Sequence, residues 1–334
     1  MFAKFYCILL LTLPSFVVAD VFLPEVIYQL DARFTHHVLV VEKSTHKLYL
    51  YENAQENPKL VKTYKIATGK ITGNKNVQGD KKTPEGIYFF KRFISGEKLV
   101  SNYGKAGLIY GAGAFTMNYP NIIDRQKGKT GGGIWLHSTH DDKRVSKGLD
   151  SKGCVVATDN DIKDISKFID IQHTPIIVTQ NLRFLKKETW LNSKNEILNT
   201  VINWATAWKT KNFPKYIDQY SKKDFKSKNK GNYTSYKNYK RKLFKKLGTP
   251  VIKFTNISIL NFNKYAIVTM EQDYKSNTIS DVGKKTLYMK RNNKYQWKII
   301  SEDWKKIQSE TLAFTPTMRY FTKEKEASND PGSI

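Results

Sequence analysis

Apolar and polar side chains alternate over residues 38–51, as Val38-Leu39-Val40-Val41-Glu42 and then Lys47-Leu48-Tyr49-Leu50-Tyr51, around a Lys43-Ser44-Thr45-His46 turn. A period of two broken by a polar turn predicts a β-hairpin. The same reasoning predicts strands over residues 61–67 and 86–93, and the Gly-, Asn- and Pro-bearing stretch 68–85 between them reads as loop. Ile134-Trp135-Leu136-His137 and Ile176-Ile177-Val178-Thr179 read as short buried strands. A helix is expected over residues 158–169, capped by Thr158 or Asp159. This half predicts a mostly β domain.

Beyond Asn181 the period lengthens. Residues 189–209 place Trp190, Ile197, Val201, Trp204 and Trp208 near helical spacing, and residues 236–247 form a second helical pattern that Gly248-Thr249-Pro250 ends. Strands are expected over 251–260, 264–273, 283–291 and 295–304, a helices-then-sheet layout of the α+β kind. The polar stretch 313–334 reads as a disordered tail.

The first residues look like an export signal: one positive charge at Lys4, an apolar core over 5–18, and small residues Val17 and Ala19 before Asp20. Cleavage is expected after Ala19, giving a periplasmic protein, with an uncleaved membrane anchor as the alternative. The expected order is a signal peptide 1–19, an arm 20–35, a first domain 36–180, a linker 181–192 and a second domain 193–312. The arm could be exchanged between two copies in a homodimer. At 334 residues there is chain enough for two cores.

Charge is unevenly placed. The chain carries a net +26, and the part from Arg183 onward holds 32 Lys and Arg against 13 Asp and Glu. For an exported protein such a field favours anionic wall polymers, lipid or glycans over nucleic acid. A solubilising lysine-rich surface accounts for the charge equally well.

Of the 2 cysteines, Cys7 lies in the leader, so Cys154 is left as a lone thiol that cannot form a disulfide within the mature chain. A cysteine attacks an acyl carbon as thiolate and needs a partner for its proton, and histidine titrates in the right range. His137 follows an apolar strand, and Gly153 before Cys154 permits a tight turn whose amides could face an oxyanion. For an active site a depressed thiol pKa, and so alkylation by iodoacetamide well below pH 8, is the expectation, whereas an inert thiol in a dead module would stay unlabelled.

Four ordered motifs carry a resemblance: Tyr64-Lys65-Ile66-Ala67-Thr68-Gly69-Lys70, Lys82-Thr83-Pro84-Glu85-Gly86-Ile87-Tyr88, Gly133-Ile134-Trp135-Leu136-His137-Ser138-Thr139 and Ser151-Lys152-Gly153-Cys154-Val155. In order and spacing residues 36–180 resemble the L,D-transpeptidase (YkuD-type) catalytic domain. The resemblance implies a β-rich fold with Cys154 as nucleophile and His137 as base. It further implies that the Ser138 carbonyl orients the imidazole, with no particular side chain needed there, and that amides near Gly153 and Cys154 form an oxyanion hole. No metal or organic cofactor is implied.

Two positions depart from the family pattern: Lys152 stands where Ser-His-Gly-Cys has histidine, and Val156 where an arginine commonly follows the cysteine. With the stretch from Tyr110-Gly111 to Asn118-Tyr119-Pro120-Asn121 and the basic C-terminal part, the chain is similar to the cell-shape-determining L,D-carboxypeptidase branch. That branch implies release of D-alanine from stem tetrapeptides by water. An L,D-transpeptidase, and a catalytically dead wall-binding module, remain as alternatives. Ile202-Asn203-Trp204-Ala205-Thr206-Ala207-Trp208, Tyr216-Ile217-Asp218-Gln219-Tyr220 and the run from Trp297 to Trp304 look like an NTF2-like domain. Trp204, Trp208 and Trp297 could line a ligand pocket there, with a core role preferred.

Lys152, Thr139 and Tyr110 are candidates to hold substrate. Lys152 could bind a free carboxylate or simply be solvated, and the solvated reading is preferred for it and for Asp80, Arg125 and Arg144. His137, His140, Asp141 and Asp142 could be read as a metal cluster. His36, His37, His46 and His173 stand in no metal-ligand spacing to it, so an exposed polar loop is preferred.

Overall fold

The structure is a computed structural model that describes residues 20–54, 57–307 and 314–321. The expected leader lies outside these residues, as do 322–334 of the expected tail.

Among the described residues an eight-stranded sheet carries the first domain. Its order runs Val155–Val156, Trp135–His137, Gly113–Met117, Gly86–Ser95, Pro175–Thr179, His37–Glu42, Lys47–Ala54 and Asn57–Lys65. His37–Glu42 is buried along its whole length because both of its faces are covered. Leu39 and Val41 enter the core of the first domain, against Ile176, Val178 and helix Asp159–Ser166, which Thr158 caps. Val38 and Val40 point the other way, into a second apolar cluster with Val26, Ile27, Leu30, Leu260 and Ile267. The alternation expected from residue 38 onward fails over residues 38–41, which form a continuous apolar run because the strand is buried on both sides, and the strand joins two domains through shared side chains.

The second domain packs helices Lys187–Lys209, Phe213–Asp218 and Tyr233–Lys246 on the sheet built from Val251–Phe262, Tyr265–Lys275, Ser280–Arg291 and Trp297–Lys306. Trp190 and Trp204 are fully buried in its core and Trp297 nearly so, while Trp208 is only partly covered. No described helix is long and apolar enough to cross a membrane.

The N-terminal arm pairs with two separate parts of its own chain. Phe22–Pro24 pairs with Phe184–Lys186, in the stretch expected to be a linker, and Ile27–Gln29 pairs with Val251–Phe262 at the edge of the second sheet. Trp190 Nε1 donates to the carbonyls of Pro24 and Ile27 at 3.2 and 3.0 Å, and burial of Ile27 supplies the apolar drive.

Part of the polar tail is also placed. Phe314 stacks on His36 with ring centroids 3.6 Å apart, and Tyr320 and Phe321 pack on Phe93. Three aromatic side chains bury enough apolar surface to order a segment that composition assigns to solvent.

Candidate active site

Cys154 sits immediately before the edge strand Val155–Val156, which runs parallel to Trp135–His137 with Val155 opposite Leu136 and Val156 opposite His137. Val155 and Leu136 share the core face, so the alternation of a strand sends Cys154 and His137 to the other face. Neighbouring strands thus carry the pair in diagonal register.

Each partner is fixed by its own contacts. His137 Nδ1 lies 2.6 Å from the Ser138 carbonyl oxygen. A carbonyl only accepts, so Nδ1 carries the proton and Nε2 is left as the basic nitrogen. The Cys154 thiol donates to the Gly133 carbonyl at 3.5 Å, and no hydrogen bond joins it to the imidazole in this state. Burial pushes the thiol up to about 11, against the pull of the Trp135 backbone amide, Arg144 and Lys75. Burial likewise lowers His137 to about 4, with the Ser138 carbonyl opposing that and Arg144 adding to it. The resting pair is therefore neutral, a thiol beside an imidazole, which corrects the expectation of a depressed thiol pKa. The cause is desolvation, which a motif does not report.

The turn before the nucleophile needs glycine. Gly153 has φ +128°, and a Cβ there would stand 2.8 Å from the Lys82 carbonyl. Ser151 Oγ closes the turn by accepting from the Gly153 amide at 3.0 Å and donating to the Cys154 carbonyl at 2.6 Å. Of the two amides expected to form an oxyanion hole, that of Gly153 is taken, and that of Cys154 has no partner among the described residues.

Ser138 does more than lend a carbonyl. Its hydroxyl donates to the Tyr110 carbonyl at 3.1 Å and accepts from the Gly113 amide at 3.3 Å. Asp159 accepts from the Ala112 amide at 2.8 Å. Gly111, at φ +52°, has no room for a side chain between Asp159 and Ser138. The pinned turn holds the Tyr110 ring edge-on to His137, centroids 4.9 Å apart, and against Trp135. Tyr110 thus walls the base.

The remaining candidates separate. Lys152 is exposed beside the nucleophile with no side-chain partner among the described residues. Thr139 is buried, its hydroxyl taken by the Asp141 amide and Arg144 at 3.1 and 3.3 Å, so it braces the loop. Arg144, expected to be solvated, is instead held by Asp150, the Ile109 carbonyl and Thr139. Asp80 pairs with buried Lys75 at 2.7 Å and accepts from the amides of Asn76, Val77 and Lys82. Burial alone would raise its carboxyl, but these donors hold it down at about 2. Arg125 reaches the Pro120 carbonyl. His140 faces the Leu108 carbonyl at 2.8 Å, and among the described residues no three of His, Cys, Asp and Glu converge on a metal position.

A separate cavity of about 450 Å³ opens in the second domain, lined by Trp208, Tyr236, Tyr239, Lys240, Lys285 and Trp304 among others. Glu302 lies in it, 2.8 Å from Lys285 and 3.8 Å from Lys240, and accepts from Tyr236 and Tyr220. Burial outweighs Glu302 for Lys240 and lowers its ammonium to about 8. Trp204 and Trp297 are core, whereas Trp208 is a wall of this cavity.

Comparison with known proteins agrees with this layout. Residues 36–178 match the L,D-transpeptidase catalytic domain and residues 196–303 the Cds6 C-terminal NTF2-like domain. Bd1075 of Bdellovibrio bacteriovorus is similar at 30% identity and a TM-score of 0.75, over 86% of this chain and 100% of its own. The helical cell shape determining protein Pgp2 of Campylobacter jejuni shares the fold at 24% identity and a TM-score of 0.63, over 82% of this chain and 95% of its own. No curated protein sequence matches the chain.

Proposed function

The chain belongs to the L,D-transpeptidase (YkuD) family, whose catalytic domain is joined here to an NTF2-like domain, and from that premise we propose that it is a peptidoglycan L,D-carboxypeptidase. The family acts on peptidoglycan peptides through a cysteine. The proposed reaction removes the terminal D-alanine of a stem tetrapeptide and leaves a tripeptide.

In this reading the Cys154 sulfur attacks the carbonyl of the L,D bond as His137 Nε2 takes the thiol proton, and the amide of Cys154 faces the developing oxyanion. Nε2 then gives that proton to the leaving D-alanine amine, which frees a thioester. Water loses a proton to Nε2, attacks the thioester and releases the tripeptide, and the proton returns to sulfur. In the resting pair Nε2 is unprotonated, so it is free to accept the thiol proton as the sulfur attacks.

The observation that carries hydrolysis over transfer is the environment of Val156. Its side chain is buried with Ala67 and Val145, so the cation that commonly follows the family's cysteine has no counterpart at that position. Lys152, exposed on the other side of Gly153, is the cation available to a substrate carboxylate. Release of one alanine from a disaccharide tetrapeptide, without cross-linked dimers, tests the reading.

Export to the periplasm by the 1–19 leader belongs to the same proposal, since the substrate lies outside the cytoplasm. The cavity with Lys240, Lys285 and its aromatic walls suits an anionic wall or glycan ligand that would hold the enzyme on its polymer. By trimming stem peptides such an enzyme would influence cell shape.

A further inference from the structure

We infer that Arg144 is a positioning residue for the reaction: its guanidinium ties together the segments that carry Tyr110, His137 and Cys154, and its charge acts on the sulfur from outside the position that Val156 occupies. The inference rests on Cys154 being the nucleophile.

The geometry is that of a fork. Arg144 Nε donates to Asp150 Oδ2 at 2.6 Å, on the strand Leu149–Ser151 that leads to the nucleophile turn. Nη1 donates to the Ile109 carbonyl at 2.9 Å, next to Tyr110, and to Thr139 Oγ1 at 3.3 Å, just past His137. These segments come from separate parts of the chain and meet on one planar group. A guanidinium presents donors at fixed angles on separate nitrogens, so it sets the relative positions of all three, whereas an ammonium gathers its donors on one atom and does not span the same acceptors.

The charge has a second effect. Val145, beside Arg144 in the same helix, packs with Val156 and Ala67, so Arg144 is carried on the element that covers Val156. The charges that act on the sulfur are those of Arg144 and of Lys75 from the 68–85 loop, with Tyr110 nearby and His137 on the neighbouring strand. Asp150 opposes Arg144 at the imidazole. A positive charge here favours thiolate over thiol and disfavours imidazolium, so it stabilises the attacking sulfur and keeps Nε2 unprotonated before attack. A misplacement of about 1 Å in such a constellation can cost on the order of 100-fold in rate.

The test compares full-length wild type with Arg144→Gln and Arg144→Lys in three measurements: D-alanine release from disaccharide tetrapeptide, the pH profile of iodoacetamide alkylation at Cys154, and thermal melting. Arg144→Gln should lower kcat about 10- to 100-fold with KM changed less than about 3-fold. It should also slow alkylation at pH 9 about 3- to 10-fold, because the thiol pKa rises when the charge is gone. Arg144→Lys should restore the alkylation profile and leave kcat low. A glutamine variant that melts earlier yet keeps the wild-type alkylation profile would make Arg144 a structural brace and overturn the inference. If the glutamine variant does not fold, a lysine variant with wild-type kcat overturns it. If wild type releases no D-alanine but the alkylation profiles separate as stated, the carboxypeptidase reading fails and the role of Arg144 stands.

Discussion

Val156 lies directly opposite His137 in a parallel strand pair, and this register decides where the chemistry can happen. The nucleophile, two residues before Val156, and the base emerge on the face away from the core. Ser138 fixes the ring nitrogen that bears the proton, and Gly153 fixes the turn that presents the sulfur.

Burial pushes the Cys154 thiol up to about 11, so it is neutral at ordinary pH. Alkylation of Cys154 by iodoacetamide should therefore climb steadily from pH 7 to pH 10 without a plateau. A plateau reached below pH 8 would mean a preformed thiolate and would contradict the neutral pair.

Gly153→Ala should abolish D-alanine release and lower the melting temperature. The new Cβ would meet the Lys82 carbonyl at 2.8 Å, in a backbone conformation with φ +128° that costs a non-glycine residue about 1–3 kcal/mol. An alanine variant with normal turnover would show that the turn adapts, against the packing described.

The periodic elements were legible in the sequence: the hairpin at His37–Glu42 and Lys47–Ala54, the helix at Asp159–Ser166 and the long strands of the second domain. The strand Gly113–Met117 was not, because Gly113-Ala114-Phe115-Thr116-Met117 has neither alternation nor β-branched enrichment. It forms because Phe93 and Leu136 flank Phe115 on neighbouring strands. At the site, Cys154 and His137 stood out by residue type. Arg144 and Asp159 did not, since their partners Ile109, Thr139, Asp150 and Ala112 are brought to them only by folding. The pairing of the arm was not legible because its partner strands Phe184–Lys186 and Val251–Phe262 lie far along the chain.

Glu302→Gln should destabilise the protein by roughly 3 kcal/mol, because Lys240 and Lys285 would keep their burial and lose their counter-charge. Burial alone would raise the Glu302 carboxyl, and the two lysines reverse that and hold it at about 2. Its contribution is thus present above its ordinary range and lost as pH falls through about 2. Urea melts at pH 7 read the effect, and an unchanged midpoint would remove the charge cluster from the account.

Stability should also fall between about pH 6.5 and pH 4. His37 and His137 are both lowered to about 4 by burial, so in that window the unfolded chain binds protons that the folded chain excludes. The loss is on the order of 2–3 kcal/mol for each group at most. Urea midpoints at pH 7 and pH 4.5 should differ, and less so in His37→Gln; equal midpoints in wild type would contradict the assignment.

The most direct measurement is a digest of disaccharide tetrapeptide by purified protein, with the products separated by chromatography. The account predicts tripeptide and free D-alanine, lost by about 1,000-fold or more in both Cys154→Ala and His137→Ala. Cross-linked dimers without tripeptide, or alanine release that survives in Cys154→Ala, would contradict it.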